Sequence, residues 1–173
     1  MIILMGLAGS GKSTQGQKLA AATGRVWLST GQLIRESGKY DKIINSGSLI
    51  DDDEATLIFA EALAKITREG KQAVVDGYPR NETQARWLAN NLQKAIEQVV
   101  IVDVSKEEVT KRLMKRGRAD DTEAVIQERF EIAERGMKGV CRILRNKGVK
   151  ITKINGEGTE DEVFLRLIKA TEA

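Results

Sequence analysis

The chain has 173 residues, 41% of them hydrophobic and 31% charged, which excludes a disordered or collagen-like protein and predicts one globular domain with a sizeable core. Its 28 basic and 25 acidic residues leave a net charge of +3, and aromatic residues make up only 4%, so a nucleic acid partner is not favoured. The absence of histidine excludes the usual histidine-based zinc sites, and a single cysteine cannot form a disulfide within the chain, which favours a cytoplasmic location.

Short apolar runs alternate along the chain with longer segments that have helical periodicity. The runs are rich in valine and isoleucine and predict strands at 2–5, 26–28, 73–75, 99–104 and 149–154. Capping pairs mark three helix starts: Asp51 with Glu54, Ser105 with Glu108, and Thr159 with Glu162. This alternation predicts an α/β fold with a five-stranded parallel sheet covered by helices on both faces. The first apolar run ends at Gly6, too early to span a membrane, so we expect no membrane association.

The segment that follows Asp121 carries an apolar stripe at helical spacing. The stripe consists of Ile126, Phe130, Ala133, Met137, Val140 and Leu144. Gly136 and Gly139 lie in the middle of this segment and predict a break in the helix, because glycine lowers helix stability. Cys141 continues the stripe, and we interpret it as a buried hydrophobic side chain rather than a reactive thiol.

Residues 6–13, Gly-Leu-Ala-Gly-Ser-Gly-Lys-Ser, match the pattern of a phosphate-binding P-loop and lie between a predicted strand and a predicted helix. In such a loop the glycines let successive backbone N–H groups point at phosphate oxygens, and the N-terminus of the following helix adds positive potential. Lys12 would reach the β and γ phosphates, and the Ser13 hydroxyl would be placed for Mg²⁺. The alternative is a glycine-rich turn that opens a helix. The loop alone predicts a nucleoside triphosphate site.

Further segments resemble the nucleoside monophosphate kinases, in the same order and places. They are 28–35 (Leu-Ser-Thr-Gly-Gln-Leu-Ile-Arg), 47–50 (Gly-Ser-Leu-Ile), 76–80 (Asp-Gly-Tyr-Pro-Arg) with Gln84, and 118–121 (Arg-Ala-Asp-Asp) with Arg129. The chain is most similar to adenylate kinases of the short-lid type. This resemblance implies a single P-loop kinase domain over 1–173, with a three-layer α/β/α core. It also implies a monophosphate-binding helical arm at 30–59 and a very short lid at 115–121.

The implied reaction transfers the γ-phosphoryl group of Mg-ATP to AMP and gives two ADP, so the expected partners are ATP, AMP and ADP and the expected cofactor is Mg²⁺. The attacking phosphate oxygen is already ionised near neutral pH, since its second pKa is about 6. No general base is needed, and the catalytic task is to bring two polyanions together with fixed cations. A site of this kind is rich in arginine and does not need histidine. We expect the enzyme to act as a monomer.

The resemblance also implies a role for each matching residue. The ATP-binding residues would be Gly9, Ser10, Gly11, Lys12, Ser13, Thr14, Arg112 and Arg116. The AMP-binding residues would be Thr30, Gly31, Arg35, Leu49, Ile50, Gly77, Arg80, Gln84, Arg118 and Arg129. The catalytic residues would be Lys12, Arg80, Arg116, Arg118 and Arg129. The residues that hold the metal would be Ser13 and Asp76.

Several of these residues have other readings. The basic run 111–118 has the pattern of a solvated helix face, Arg35 and Arg80 could form surface ion pairs, and Asp76 could belong to an Asp-Gly turn. Gln84 lies three residues after Asn81, so it could serve the helix start instead of a base. Thr30 stands where the UMP/CMP kinases usually have alanine, and it favours AMP as the acceptor.

Other functions stay open beside the main one. They are a UMP/CMP kinase or broad-specificity monophosphate kinase, a P-loop kinase of small metabolites, and a nucleotide-binding module without catalysis. The chain also departs from the family pattern: Gln32 replaces an acidic residue, and only Gly117 separates Arg116 from Arg118.

Overall fold

The computed structural model describes residues 1–45, 50–117 and 122–172, apart from the side chains of residues 44, 45 and 116. The predicted apolar runs form five parallel strands in the spatial order β2-β3-β1-β4-β5. Their bounds are β1 Ile2–Met5, β2 Val26–Ser29, β3 Ala73–Asp76, β4 Gln98–Asp103 and β5 Lys150–Asn155. The predicted parallel sheet is therefore confirmed.

The register brings the carboxyl ends of three strands together. Asp76 at the end of β3 lies beside Leu4 of β1 on one side and Ser29 of β2 on the other. In open α/β sheets, ligands bind outside the carboxyl ends of the strands, where loops from neighbouring strands converge. The loops that follow β1 and β3 and the helix that follows β2 are therefore placed to share one site.

Eight α-helices surround the sheet in the described residues. They are α1 Lys12–Thr23, α2 Thr30–Glu36, α3 Asp41–Asn45, α4 Asp52–Arg68, α5 Glu82–Asn91, α6 Lys106–Arg116, α7 Glu123–Asn146 and α8 Glu160–Glu172. Within the part of the chain that the structure covers, no helix is both long and apolar enough to cross a membrane.

Successive side chains of a strand point to opposite faces of the sheet. Helices cover both of these faces. Ile3 of β1 packs with residues of α4, α5 and α7 in one core cluster. Ile2 and Leu4 point the other way and pack with residues of α1, α6 and α8 in a second cluster. These two clusters confirm the three-layer α/β/α fold.

Helix α7 runs without interruption through Gly136 and Gly139, so the predicted break is wrong. Both glycines are buried where α7 crosses the segment that joins β3 to α5. A Cβ atom at Gly136 would overlap the carbonyl oxygen of Arg80, and one at Gly139 would overlap the side chain of Glu82. The close approach that glycine permits outweighs its helix penalty of about 1 kcal/mol, since most helical stability comes from tertiary packing.

An ion pair between Arg25 and Glu97 provides a prediction for acid stability. Arg25 donates to both carboxylate oxygens of Glu97, over 2.7 Å each, and these hydrogen bonds, with a smaller contribution from the N-terminal ammonium of Met1, lower the pKa of Glu97 to about 2. A lowered carboxyl pKa stabilises the fold above the unfolded value of about 4.3, and this stabilisation is lost as the pH falls toward 2.

We therefore expect Arg25→Leu to lower the free energy of unfolding at pH 7 by about 1 kcal/mol or less, since Glu97 is partly exposed. The difference from the native chain should shrink below about pH 4 in urea unfolding curves. Lys71→Leu, in the more exposed Lys71–Glu69 pair, is the control. If the difference in the free energy of unfolding between Arg25→Leu and the native chain stays constant down to pH 3, it would contradict a lowered pKa of Glu97.

Candidate active site

The loop between β1 and α1 lines a cavity with Gly6, Ala8 and Gly9. Gly9 and Gly11 have φ angles of 85° and 90°, a region that favours glycine. Lys12 and Ser13 are the first residues of α1, and the N–H groups of a first helical turn have no partner within the helix. The buried hydroxyl of Ser10 has no hydrogen-bond partner among the described residues. This loop can hold an anion such as a phosphate.

Two side chains of this loop make defined contacts. The Lys12 ammonium donates to the carbonyl oxygen of Leu7 over 2.7 Å, which keeps it close to the loop. The Ser13 hydroxyl donates to Oδ2 of Asp76 over 2.6 Å. Asp76 ends a strand and is only 4% exposed, so it is not simply part of a solvent-exposed turn. Ser13 and Asp76 together offer two neighbouring oxygen ligands of the type that Mg²⁺ prefers.

Three arginines from different elements line a cavity beside this loop: Arg35 of α2, Arg80 after β3, and Arg129 of α7. A Cβ atom at Gly31 would lie 2.8 Å from a terminal nitrogen of Arg80 and 3.5 Å from one of Arg35. The two guanidinium groups therefore face the same small residue. Arg80 also donates from Nε to the carbonyl oxygen of Gly77 over 2.9 Å, which fixes its direction.

The electrostatic surroundings of Arg80 favour an anion in this cavity. Desolvation by the surrounding protein lowers the pKa of Arg80, the charge of Asp76 raises it, and the charge of Arg129 lowers it. Arginine stays protonated in proteins, so the lowered pKa reflects first the cost of desolvating the guanidinium group and then the nearby charge of Arg129. A bound phosphate would offset that cost by forming charge-assisted, bidentate hydrogen bonds.

Thr30, Ile50 and Gln84 line the same cavity beside the arginines. The hydroxyl of Thr30 is buried and has no hydrogen-bond partner in the described ranges. Asn81 caps α5 by accepting from the backbone N–H of Gln84 over 3.1 Å. The Gln84 side chain does not take part in the cap: its Oε1 accepts from the backbone N–H of Arg80 over 2.7 Å. Gln84 thus serves the helix start with its backbone, while its amide lies at the cavity.

A second groove lies on the other side of the phosphate-binding loop and is formed by that loop, α6, the segment after β5 and the start of α8. Arg112 of α6 lines it and is held at two points. Its Nε donates to Oε1 of Glu108 over 2.8 Å, and its Nη1 donates to the carbonyl oxygen of Gly156 over 3.3 Å. A guanidinium plane fixed in this way can stack on an aromatic base.

The structure brings most of the predicted residues to these two neighbouring sites. The cavity is lined by Gly9, Lys12, Ser13, Thr30, Gly31, Arg35, Ile50, Asp76, Gly77, Arg80, Gln84 and Arg129. The groove is lined by Ser10, Gly11, Thr14 and Arg112. Leu49, Arg118 and the side chain of Arg116 lie outside the described residues, together with most of the predicted lid.

Two residues at these sites were missed in the sequence. Glu108 matched a capping pair with Ser105, yet its carboxylate holds Arg112 four residues later; the i,i+4 spacing of opposite charges was an available signal. Asp52 looked like one of three acidic residues at a helix start, yet it accepts a hydrogen bond from Gln84, 32 residues away. No local pattern indicates that contact.

Comparison with known proteins gives a consistent result. A family model described as adenylate kinase matches residues 4–149. Among curated relatives, the adenylate kinase of Prochlorococcus marinus (strain MIT 9211) is 32% identical over 180 residues, covering 98% of this chain and 95% of the relative. The adenylate kinase of Micrococcus luteus is 33% identical, with 98% and 89% covered. UMP-CMP kinase 1 of Oryza sativa subsp. japonica is 33% identical, with 95% and 70% covered. Given these matches and the P-loop fold, the chain belongs to the adenylate kinase family.

Proposed function

We propose that this protein is an enzyme that transfers the γ-phosphoryl group of Mg-ATP to AMP and produces two ADP. The observation that carries the proposal is the shared cavity, in which the phosphate-binding loop faces the arginines from α2, the β3–α5 segment and α7. A P-loop that served a triphosphate alone would not need this second cluster of cations. The two relatives described as adenylate kinases support the same reaction.

The chemistry follows from charge. ATP would place its adenine in the groove beside Arg112 and its phosphates over the loop, where Lys12 would exchange the Leu7 carbonyl oxygen for phosphate oxygens. AMP would place its phosphate at Arg35 and Arg80, and an oxygen of that phosphate would attack the γ-phosphorus. Arg129 would stabilise the charge that spreads over the transferred group. Arg116 and Arg118 are proposed to complete this set from the lid.

Ser13 and Asp76 are the residues proposed to hold Mg²⁺. Both present hard oxygen atoms at the edge of the cavity, and among the described residues no group of three or more acidic, cysteine or histidine side chains is placed to hold a metal ion. Two such oxygen ligands suit Mg²⁺, which usually takes one or two protein ligands and completes its shell with water and substrate phosphates. The ion would neutralise phosphate charge and orient the transferred group.

The choice of acceptor is proposed to depend on Thr30 and Gln84. Both are almost fully buried and line the cavity beyond the arginines, where the base of a bound monophosphate would lie. Gln84 can pair a donor and an acceptor with adenine, as glutamine does in DNA recognition. The rice UMP-CMP kinase at 33% identity keeps a pyrimidine monophosphate as the second candidate acceptor.

We propose that the chain is a single kinase domain with a monophosphate-binding arm at 30–59 and a short lid at 115–121. α2, α3 and the start of α4 would form the arm that covers the monophosphate. We also propose a cytoplasmic location, since the one cysteine, Cys141, is a buried thiol whose pKa is raised by burial.

An acceptor panel tests the proposed function. Purified protein with Mg-ATP is given AMP, UMP, CMP or GMP, and ADP formation is followed in a coupled assay. We expect kcat/KM for AMP to exceed that for each other acceptor by about 10-fold or more, the discrimination that one bidentate base contact supplies. A preference for UMP or CMP would favour the pyrimidine alternative. Failure to form ADP with any acceptor would overturn the assignment as a monophosphate kinase.

A further inference from the structure

Asp52 connects the start of α4 to the start of α5 through a single carboxylate oxygen. Its Oδ1 accepts from Nδ2 of Asn81 over 2.6 Å and from Nε2 of Gln84 over 2.9 Å. Asp52 is the first residue of α4 and is half-buried beside the cavity. A carboxylate that accepts two amide hydrogen bonds across 29 and 32 residues of sequence has a structural or functional task beyond helix capping, which Asp51 already performs.

The oxygen and the nitrogen of the Gln84 amide have different kinds of hydrogen-bond partner. The oxygen faces the backbone N–H of Arg80, which can only donate, and the nitrogen faces the carboxylate of Asp52, which can only accept. If the amide rotated by 180°, its nitrogen would meet a donor and its oxygen would meet an acceptor. Both hydrogen bonds would be lost and both new contacts would be repulsive. Arg80 and Asp52 therefore fix the orientation of this amide.

The fixed amide keeps one N–H and one oxygen lone pair for a ligand, since a glutamine amide has two of each. The six-membered ring of adenine presents an acceptor at N1 next to a donor at the 6-amino group. A 6-oxopurine such as hypoxanthine presents the reverse, a donor at N1 next to an acceptor at O6. A glutamine that can rotate reads both patterns, whereas a fixed one reads only one.

We propose that Asp52 is a positioning residue that sets acceptor selectivity between adenine and 6-oxopurine monophosphates by fixing the amide of Gln84. The inference rests on the proposed function, in which Gln84 faces the acceptor base. The phosphate of the acceptor is held at Arg35 and Arg80, so the base cannot turn over to match a wrongly oriented amide. Selectivity then depends on the orientation of the amide itself.

The backbone at this site is held independently of Asp52. The Tyr78 hydroxyl donates to the carbonyl oxygen of Gln84 over 3.4 Å and lies 3.0 Å from the Thr56 hydroxyl. Tyr78 is itself fully buried and stacks on Phe59 of α4, with ring centroids 4.1 Å apart. Loss of the Asp52 carboxylate should therefore weaken the hold on the side chain of Gln84 without displacing its backbone at the start of α5.

The test compares Asp52→Asn with Asp53→Asn. The two variants lose the same charge in the same helical turn, but Asp53 is exposed and its side chain has no contact with Gln84 among the described hydrogen bonds. An asparagine at position 52 can donate as well as accept, so it removes one of the two constraints on the Gln84 amide and leaves only the N–H of Arg80. The readout is the ratio of kcat/KM for AMP to that for inosine monophosphate, with the KM for ATP measured in parallel.

We expect Asp52→Asn to lower this ratio by about 10-fold, the size of one hydrogen bond to a charged group, with little change in the KM for ATP. Asp53→Asn should keep the ratio within about 2-fold of the native chain. Calorimetric titration with AMP and inosine monophosphate gives the same ratio if turnover is low, and Asp52→Ser replaces Asp52→Asn if that variant unfolds.

A merely structural role for Asp52 would lower the use of both acceptors equally and leave the ratio unchanged, which would overturn the inference while AMP kinase activity stands. If the native chain does not phosphorylate AMP, the proposed function fails and the inference fails with it. Measuring AMP phosphorylation by the native chain therefore distinguishes failure of the inference from failure of the proposed function.

Discussion

Replacing Lys12 with methionine should lower kcat by about 100- to 1,000-fold, the usual effect of removing one fixed cation or donor from a transition state. Lys12 begins α1 directly after the phosphate-binding loop, and its ammonium already lies within the loop, 2.7 Å from the Leu7 carbonyl oxygen. Only a short movement is needed to reach a phosphate. Methionine keeps the aliphatic length of the side chain, so α1 and the loop should fold normally.

Lys18→Met is the matched control for this variant, because it makes the same substitution on the same helix. Lys18 pairs with Asp161 over 2.6 Å and with Glu160 over 3.1 Å and belongs to neither the cavity nor the groove. We expect little change in stability, since these ion pairs are exposed, and little change in turnover. The measurement is kcat with saturating Mg-ATP and AMP. A Lys12→Met enzyme that keeps more than a tenth of the native kcat would contradict the role given to this lysine.

Gly136→Ala should lower kcat/KM for AMP by about 100-fold, although Gly136 is proposed to touch neither nucleotide. The new methyl group would overlap the carbonyl oxygen of Arg80, so α7 or the β3–α5 segment must move. Either movement displaces Arg80, or Arg129 on the same helix, and a misplacement of about 1 Å can cost that much activity. Backbone atoms cannot rotate away as a side chain can.

Gly139→Ala is the control, since it places the same methyl group three residues later on the same helix. The atoms it would meet belong to the side chain of Glu82, which can rotate and give up its contacts with Arg86 and Arg142. We expect a much smaller loss of kcat/KM than for Gly136→Ala. The measurements are kcat/KM for AMP from steady-state kinetics and the melting temperature of both variants. A Gly136→Ala protein that is more stable than the native chain and equally active would show that α7 does not hold the Arg80 segment in place.

The sheet and the phosphate-binding loop were predictable because their signals are local. The residues of β1 and β3 are all buried, so β1 and the first three residues of β3 appear in the sequence as apolar runs. The loop is a short, ordered pattern whose glycines and lysine are required by backbone geometry and phosphate chemistry. The positions of Arg35 and Arg80 followed from resemblance, and the parallel sheet explains their proximity, since α2 and the segment after β3 leave the same edge.

The contacts that shape the site depend on tertiary structure and were not predictable. Gly136 looked like a weak point of a helix. Glycine is required there because the position packs against the carbonyl group of Arg80, 56 residues earlier in the sequence. Asp52 received no role in the sequence analysis, because the amide that it contacts lies on another helix. In both cases the sequence offered no local sign of a distant contact. Only the packing of α4 and α7 against the β3–α5 segment reveals what each residue contacts.

The most direct test of the central claim uses ADP as the only nucleotide. An enzyme that brings a triphosphate and a monophosphate together over one loop must also run in reverse, with two ADP molecules occupying the groove and the cavity. Purified protein incubated with Mg-ADP should form ATP and AMP in equal amounts until equilibrium, as measured by ion-exchange chromatography. ADP that remains unchanged, or that yields AMP and inorganic phosphate without ATP, would contradict the proposed phosphotransfer.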